Sequence, residues 1–170
     1  MKIIKSILVP TDFSDLSLAA MEYAKSFSII FNTRIYMIHV VDNVPTLAFH
    51  TVDINSETAL KNAIDKASID LNEFMNTKFP QEHNIVLVVR RGEVYSEIIK
   101  FGQEEKIDLI VMATHGRTGL AHVFLGSVAE KVVRHSAVPV LTVKPQAMQE
   151  FFLNTKDIEE QLRLNPHCKI

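Results

Sequence analysis

The chain has 170 residues, of which 47% are hydrophobic and 22% are charged, a composition typical of one globular domain with a buried core. Its formal net charge is −2 and its basic residues are scattered, so charge gives no support for binding to nucleic acid or to a membrane surface. One cysteine, Cys168, excludes an internal disulfide bond, and because no apolar run reaches ~18 residues we expect a cytoplasmic protein without a membrane span.

Five short apolar runs, taken in chain order, predict the strands of a parallel sheet. Most are continuous rather than alternating, which is typical of strands that are covered on both faces. The runs are Ser6–Pro10, Arg34–Val41, Asn84–Arg90, Ile107–Met112 and Val138–Val143. Segments with helical spacing lie between them, and such alternation requires right-handed crossovers. We therefore predict an α/β fold, an open five-stranded parallel sheet with helices on both faces.

Four helices are predicted from apolar residues that recur three or four positions apart. The first follows the first run, and Ser14 or Asp15 can cap it. The second opens at Ser56, and the third and fourth lie before and after the fourth run. Their apolar positions are Leu16, Ala20, Tyr23, Ala24 and Phe27; Leu60, Ile64, Ala67, Leu71 and Phe74; Val94, Ile98 and Ile99; and Val128, Val132 and Val133.

Two segments do not fit this alternation. Asp42–Asn55 is a long connection with apolar residues, and it serves either as a lid or partner surface or simply packs on its own domain. The second segment follows the fifth run. We assign residues 1–145 to one domain and residues 146–170 to a C-terminal tail, in which Asp157–Leu164 can be helical and Pro166 would end the helix.

Polar and glycine residues follow the first and fourth runs, at the edge where parallel α/β sheets bind ligands. Thr11 and Asp12 follow the first run, and Gly116 and Gly126-Ser127 follow the fourth. Because backbone N–H groups at a helix N-terminus carry partial positive charge and Ser127 adds a hydroxyl, the second pattern predicts a phosphate site without a Walker lysine. Simple turns and a simple helix cap explain the same residues equally well.

Three stretches make the sequence similar to universal stress proteins. Residues 7–14, ILVPTDFS, resemble the opening of that family, and residues 135–141, HSAVPVL, resemble its closing segment. Between them, Gly116, nine residues and then Gly126-Ser127 match the second part of the family's nucleotide motif. ATP-binding members carry Gly-x-x-Gly before these nine residues, and here Ala113 replaces the first glycine, so its methyl group can crowd the ribose. The resemblance covers roughly residues 3–144.

The resemblance implies a Rossmann-like sheet of the adenine-nucleotide alpha-hydrolase type that binds ATP, AMP or ADP, with or without Mg²⁺. By position, the base lies between the first and second strand ends, the ribose beside the fourth strand, and the phosphates at the fourth helix. The implied nucleotide-binding residues are Pro10, Thr11, Asp12, Val40, Met112, Ala113, Gly116, Arg117, Gly126, Ser127 and Val128.

Structural roles stay open for several of these residues. Asp12 can cap the first helix, Val40 and Met112 can be core residues, and Arg117 can stay in solvent instead of reaching a γ-phosphate. We expect His39, near the end of the second apolar run, to be a hydrogen-bonded core residue rather than a ligand.

The implied activity is that of a nucleotide-binding regulator of the stress response rather than an enzyme. No base–nucleophile pair suggests hydrolysis, so we expect at most slow ATP turnover. No HxxxH or HExxH pair suggests a metal site in the protein. The family's topology places the fifth run at the sheet edge, which implies a symmetric homodimer through Val138–Val143. The sequence does not identify a downstream protein partner.

Two other functions compete with this interpretation. A phospho-acceptor receiver domain has a similar architecture, but its acceptor aspartate would follow the third run, where this chain has Arg90-Arg91-Gly92. An interaction protein that binds no nucleotide is the second, and Ala113 keeps it open. The signature loops of ATP pyrophosphatases, nucleotidylyltransferases and Rossmann dehydrogenases are absent from the sequence.

Overall fold

The structure, a computed structural model, describes residues 3–42, 57–80, 84–114 and 125–144. Within these ranges strands and helices alternate along the chain. The strands are β1 (Ser6–Pro10), β2 (Arg34–Asp42), β3 (Ile85–Gly92), β4 (Leu109–Ala113) and β5 (Val140–Val143), and the helices are α1 (Asp15–Phe31), α2 (Glu57–Lys78), α3 (Val94–Glu104) and α4 (Ser127–His135).

The strands form one sheet in the order β3-β2-β1-β4-β5, and every neighbouring pair is parallel. Pro10 pairs with Ile38 at the end of β1, and Ala113 pairs with Val143 at the end of β4. The predicted open five-stranded parallel sheet is therefore confirmed.

Helices cover both faces of this sheet, as predicted. Ile7 and Val9 of β1 point into a cluster with α1 and α2, whereas Leu8, between them, points into a cluster with α3 and α4. All three side chains are fully buried, because a parallel strand covered on both faces needs apolar residues at consecutive positions.

Three strands begin later than the sequence predicted, β3 by one residue and β4 and β5 by two. Val138 lies outside β5 because its N–H donates to Ser136 Oγ (3.0 Å) and its carbonyl oxygen accepts from the same hydroxyl (2.9 Å), which closes a local turn. Ile107 lies outside β4 because its N–H donates to the carbonyl oxygen of Gly102 (2.9 Å) and so finishes the end of α3.

Helix α1 has a defined cap at each end. Ser14 is the N-cap residue, since its side chain accepts from Ser17 N–H, and Asp15 is the first helical residue. Asn32 ends the helix with φ of 52° in the left-handed region. Among the described helices, none combines the length and the apolarity that crossing a membrane requires. The predicted connection Asp42–Asn55, after its first residue, and the tail 146–170 lie outside the described residues.

Candidate functional site

The sheet order reverses between β1 and β4, and this reversal creates a crevice at the carboxyl edge of the sheet. From β1 the chain passes through α1 to β2, whereas from β4 it passes through α4 to β5 on the other side. Helices α1 and α4 cover opposite faces, so the loops that follow β1 and β4 diverge. Open parallel sheets bind their ligands at such a place.

Hydrogen bonds within the β1–α1 loop hold one side of this crevice. Thr11 N–H donates to the carbonyl oxygen of Ile38 (2.9 Å), and Thr11 Oγ1 lies 2.9 Å from Ser17 Oγ and accepts from Phe13 N–H (3.1 Å). Thr11 is 7% exposed, so its hydroxyl serves the loop and not the solvent.

Asp12 is fixed by the cap of α1. One of its carboxylate oxygens accepts from both the N–H and the hydroxyl of Ser14, at 3.1 and 2.5 Å. Ser14 in turn accepts from Ser17 N–H (3.3 Å), so Asp12 orients the cap without being the cap itself. Its carboxylate is therefore held at the edge of the crevice beside the end of β1.

Phe13 stabilises the β1–α1 loop through its ring, and its own backbone conformation is unusual. Its φ is 66°, a region in which an aromatic residue is strained unless the surroundings hold it. Its ring stacks on His39 with centroids 4.2 Å apart and meets the edge of Phe74 of α2 at 5.7 Å. His39 Nδ1 lies 2.9 Å from the Thr11 carbonyl oxygen, and because a carbonyl only accepts, Nδ1 carries the proton.

A short hydrogen bond joins the end of β4 to the start of α4. Gly126 N–H donates to the carbonyl oxygen of Thr114 at 2.6 Å, while Thr114 N–H donates to the carbonyl oxygen of Val143 at 2.9 Å. Thr114 is only 3% exposed. The bond brings Gly126, twelve positions further along the chain, directly to the strand end.

No described side chain caps the N-terminus of α4 at this point. Gly126 is the N-cap residue and no side chain bonds there; the helix proper starts when Glu130 N–H donates to the Gly126 carbonyl oxygen (2.9 Å). The N–H groups of Ser127, Val128 and Ala129 precede the first bonded turn, so they form the positive end of the helix dipole. An anion is the ligand that this arrangement favours.

The remaining described site residues line the strand ends. Val40 lies two residues beyond Ile38, the last partner of β1, so by the two-residue period of a strand its N–H and C=O point towards the space past Pro10. Met112 is 4% exposed, and so is a core residue as well as the floor of the crevice. Ala113 is half-buried, and it is not among the residues with positive φ, so its backbone needs no glycine.

The predicted site residues Gly116 and Arg117 lie outside the described residues. The other nine, from Pro10 to Val128, lie at or next to the carboxyl ends of β1, β2 and β4 or at the start of α4. In the described ranges, no three His, Cys, Asp or Glu side chains come together as a metal site.

The interpretation of the sequence missed two supports of the site. In the sequence Phe13 is only one position of a motif, although its stacking on His39 and its edge contact with Phe74 fix the loop. The sequence assigns Thr114 no place in the nucleotide site, although its carbonyl oxygen anchors Gly126. Neither role has a signal in composition or periodicity, because both depend on contacts between distant elements.

Comparison with known proteins gives a consistent result for the whole described domain. The sequence model of the "Universal stress protein family" matches residues 4–144. Universal stress protein MJ0531 from Methanocaldococcus jannaschii is 37% identical over 143 residues, which cover 82% of this chain and 82% of the relative. The solved structure of protein MJ0577 is 30% identical with a TM-score of 0.70, and the match covers 85% of this chain and 99% of that one.

Two more distant structures are similar in fold and carry adenine nucleotides. A universal stress protein in complex with cAMP is 22% identical, with a TM-score of 0.55, and covers 84% of this chain and 98% of its own. A family member from Arabidopsis thaliana with AMP bound is 17% identical, with a TM-score of 0.56, and covers 84% of this chain and 93% of its own.

Proposed function

This chain belongs to the universal stress protein family, and from that premise we propose that it binds an adenine nucleotide in the crevice between the β1 and β4 loops. ATP is the first candidate, with AMP and ADP as alternatives. The proposed ligand class agrees with the cAMP and AMP that two structural neighbours carry.

One observation supports the proposal: Gly126 bonds to Thr114 at the end of β4, so the N-terminus of α4, which no described side chain caps, lies beside the crevice. Glycine at the N-cap leaves room for a phosphate, which the open N–H groups can bind. On the other side of the crevice, the Asp12 carboxylate offers a hydrogen-bond acceptor. The backbone of Val40 offers an N–H donor and a C=O acceptor, and this combination suits the polar edge of adenine.

The other residues follow from this orientation. The ribose would lie along Met112 and Ala113, and the phosphates would meet Gly116, Gly126, Ser127 and Val128, with Arg117 reaching the terminal phosphate. Thr11 and Pro10 support the base side. A Mg²⁺ ion would be held by phosphate oxygens and water, since the described part of the chain offers no three-ligand group.

Gly126→Val tests the phosphate side of the site. A branched side chain at the N-cap occupies the space that the phosphate needs, so we expect ATP affinity to fall by about 100-fold or more, as for the loss of several charge-assisted hydrogen bonds. Titration calorimetry with ATP, AMP and adenosine measures the loss, which should be largest for ATP and smallest for adenosine.

Glu93→Val is the matched control for this variant. Glu93 is the N-cap of α3, has the same extended backbone and makes no side-chain cap bond, but it follows the edge strand β3. The control should bind ATP like the wild type. Equal ATP affinity of Gly126→Val and wild type would refute the assignment, and absence of binding in the wild type would favour an interaction protein.

The proposed role is a nucleotide-dependent regulator in the cytoplasm, carried by a domain of residues 1–145, rather than a metabolic catalyst. A triphosphate that contacts residues 116–127 binds one conformation of that segment better than others and so shifts its population. A protein partner in the stress response would then recognise one conformation of this segment.

We also propose a symmetric homodimer through the edge strand β5. Val140–Val143 contains no charged residue, whereas the opposite edge strand, β3, contains Arg90 and Arg91. The carbonyl oxygen of Pro139 accepts from Ile110 of β4, and that of Val143 accepts from Thr114, which follows β4. By the strand period, the backbone groups of Val140 and Thr142 therefore point outwards. An apolar edge with outward donors pairs readily with a second copy.

Thr142→Pro tests this dimer. Proline removes an outward donor but leaves the bonds to β4 in place, so we expect the mass in light scattering to fall from twice 19.2 kDa to 19.2 kDa. Thr142→Val keeps the N–H and should stay dimeric. A wild type that remains monomeric at high concentration would exclude the proposed dimer.

A further inference from the structure

Helix α1 carries an apolar strip that no described element covers. The strip consists of Ala19, Tyr23, Phe27 and Ile30, which recur at helical spacing along one flank. Ala19 and Phe27 are partly buried against the core, whereas Tyr23 is 53% and Ile30 69% exposed. Large apolar side chains aligned in this way mark a contact surface more often than scattered ones do.

The strip lies on the side of α1 that faces away from α2. Lys25 marks the α2 side, because its ammonium group lies 5.0 Å from the ring centroid of Phe79, just after α2. At about 100° per residue, Tyr23 and Ile30 lie roughly 140–160° around the helix from Lys25.

The side of α1 that carries the strip therefore faces the space above β5. Helix α1 packs on β4 and β5 through a cluster that includes Val111 and Val143, and Leu141 of β5 is only partly buried on the same face. Helices α3 and α4 lie on the opposite face. A groove is therefore left between the α1 strip and β5, with no described helix to fill it.

The chain itself supplies a segment that suits this groove. In residues 146–164 most of the large apolar residues follow a helical period and fall on one side, together with Glu159, whereas the opposite side is polar apart from Leu153 and Leu164. The apolar side would contain Met148, Phe151, Phe152, Ile158 and Leu162, and the polar side Lys156, Asp157 and Glu160. The family model ends at residue 144, so this segment is additional to the matched domain.

The segment also starts in the right place and has sufficient length. It follows β5, which ends at Val143 on the carboxyl edge of the sheet, where α1 begins. A helix of 19 residues is about 28 Å long, whereas the strip from Ala19 to Ile30 spans about 17 Å. A helix that runs back along β5 would thus cover the whole strip.

We propose that residues 146–164 form a fifth helix, which packs on the α1 strip of its own molecule and completes the layer over β5. The occupant is this segment, not an unrelated protein, because its apolar period, its starting point and its length all fit the groove. The inference is independent of nucleotide binding.

Limited trypsin digestion of the full chain tests the proposal, since the segment contains Lys156 and Arg163 as cleavage sites. Ile30→Asp puts a charge on the strip, and cleavage at these sites should become about tenfold faster or more, as expected for the loss of one buried isoleucine contact. Ile29→Asp is the matched control, because Ile29 is 83% exposed and lies about 100° away, on the solvent side.

A second pair of variants places the change in the segment and leaves the described domain untouched. Phe151→Asp should release the segment, whereas Leu153→Asp, on the polar side of the predicted helix, should not. If circular dichroism shows that Ile30→Asp does not fold, this second pair of variants tests whether the segment packs on the strip.

Dilution distinguishes packing of the segment on its own molecule from packing on a partner molecule. Packing within one molecule predicts cleavage rates that do not depend on protein concentration. Cleavage that accelerates on dilution, together with a fall of the mass in light scattering, would show that the segment covers a partner molecule and would overturn the proposal. Equal cleavage of wild type, Ile30→Asp and Ile29→Asp would also overturn it.

Discussion

Ser14 connects the stability of α1 to the position of Asp12, so Ser14→Ala should affect two properties at once. Its side chain accepts from Ser17 N–H (3.3 Å) as the N-cap of α1 and donates to Asp12 Oδ1 (2.5 Å). Loss of an N-cap side chain costs about 1 kcal/mol of unfolding free energy. For a domain of this size that corresponds to a decrease in Tm of roughly 3 °C.

The second property is nucleotide affinity. Without the Ser14 hydroxyl, Asp12 retains the Ser14 N–H bond (3.1 Å) but loses the restraint that this hydroxyl places on its carboxylate, the group that would contact the base. A hydrogen bond to a charged group contributes about 1.5–3 kcal/mol to stability, and only part of this would be lost from binding when the carboxylate is less restrained. We therefore expect a roughly 5–10-fold weaker affinity for ATP, and the same decrease for adenosine, because the phosphates are not involved.

Ser26→Ala is the control, because Ser26 lies in the middle of the same helix and its hydroxyl donates only to the Glu22 carbonyl oxygen (3.1 Å). This variant should be neutral or slightly more stable, since alanine favours the helix interior. Thermal unfolding and calorimetry of both variants give the comparison. A Ser14→Ala protein as stable as Ser26→Ala would refute the cap, and lower stability with unchanged affinity would refute the link between the cap and the base site.

The remaining predictions concern Ala113, the rate of ATP turnover and two glycines. Ala113→Gly should bind ATP more tightly if the methyl group crowds the ribose, and unchanged or weaker affinity in calorimetry would show that alanine is harmless there. ATP turnover by the purified protein should stay below ~1 s⁻¹ in a phosphate-release assay, and a rate in the usual enzyme range would contradict the regulatory role. Gly92→Ala should lower the unfolding free energy by about 1–2 kcal/mol, because Gly92 has a φ of 146° and a Cβ there would lie 2.8 Å from Glu97 Cγ. By contrast, Gly102→Ala in α3, whose Cβ would meet its nearest neighbour at an ordinary 3.6 Å, should be neutral or stabilising in denaturant titration.

The alternation of apolar runs and helical spacing was sufficient to predict the sheet. Continuous burial of Ile7, Leu8 and Val9 requires cover on both faces, and the sequence shows that directly as an uninterrupted apolar run. The strand starts were less accurate at Val138, because the hydroxyl of Ser136 competes with the strand for its backbone groups. Such local competition has no hydrophobic period and so no pattern to detect.

The site was predictable where it depends on position along the chain and unpredictable where it depends on contacts across it. Asp12 and Gly126 follow strand ends, and parallel topology alone brings such positions to one edge. The stacking of Phe13 on His39, and the bond from Gly126 to Thr114, depend on the register of β1 with β2 and of β4 with β5. Residue identity does not encode that register locally.

The β1–α1 loop has a consequence for how selective the site is. Thr11, Asp12, Ser14 and Ser17 already bond to one another, and Phe13 is held between two rings. A ligand that docks against this loop therefore freezes few additional torsions, and little conformational entropy is lost on association. The same rigidity prevents the loop from adapting to a differently shaped base. Selection between bases on this side of the crevice therefore depends on a surface that is already formed before a ligand binds.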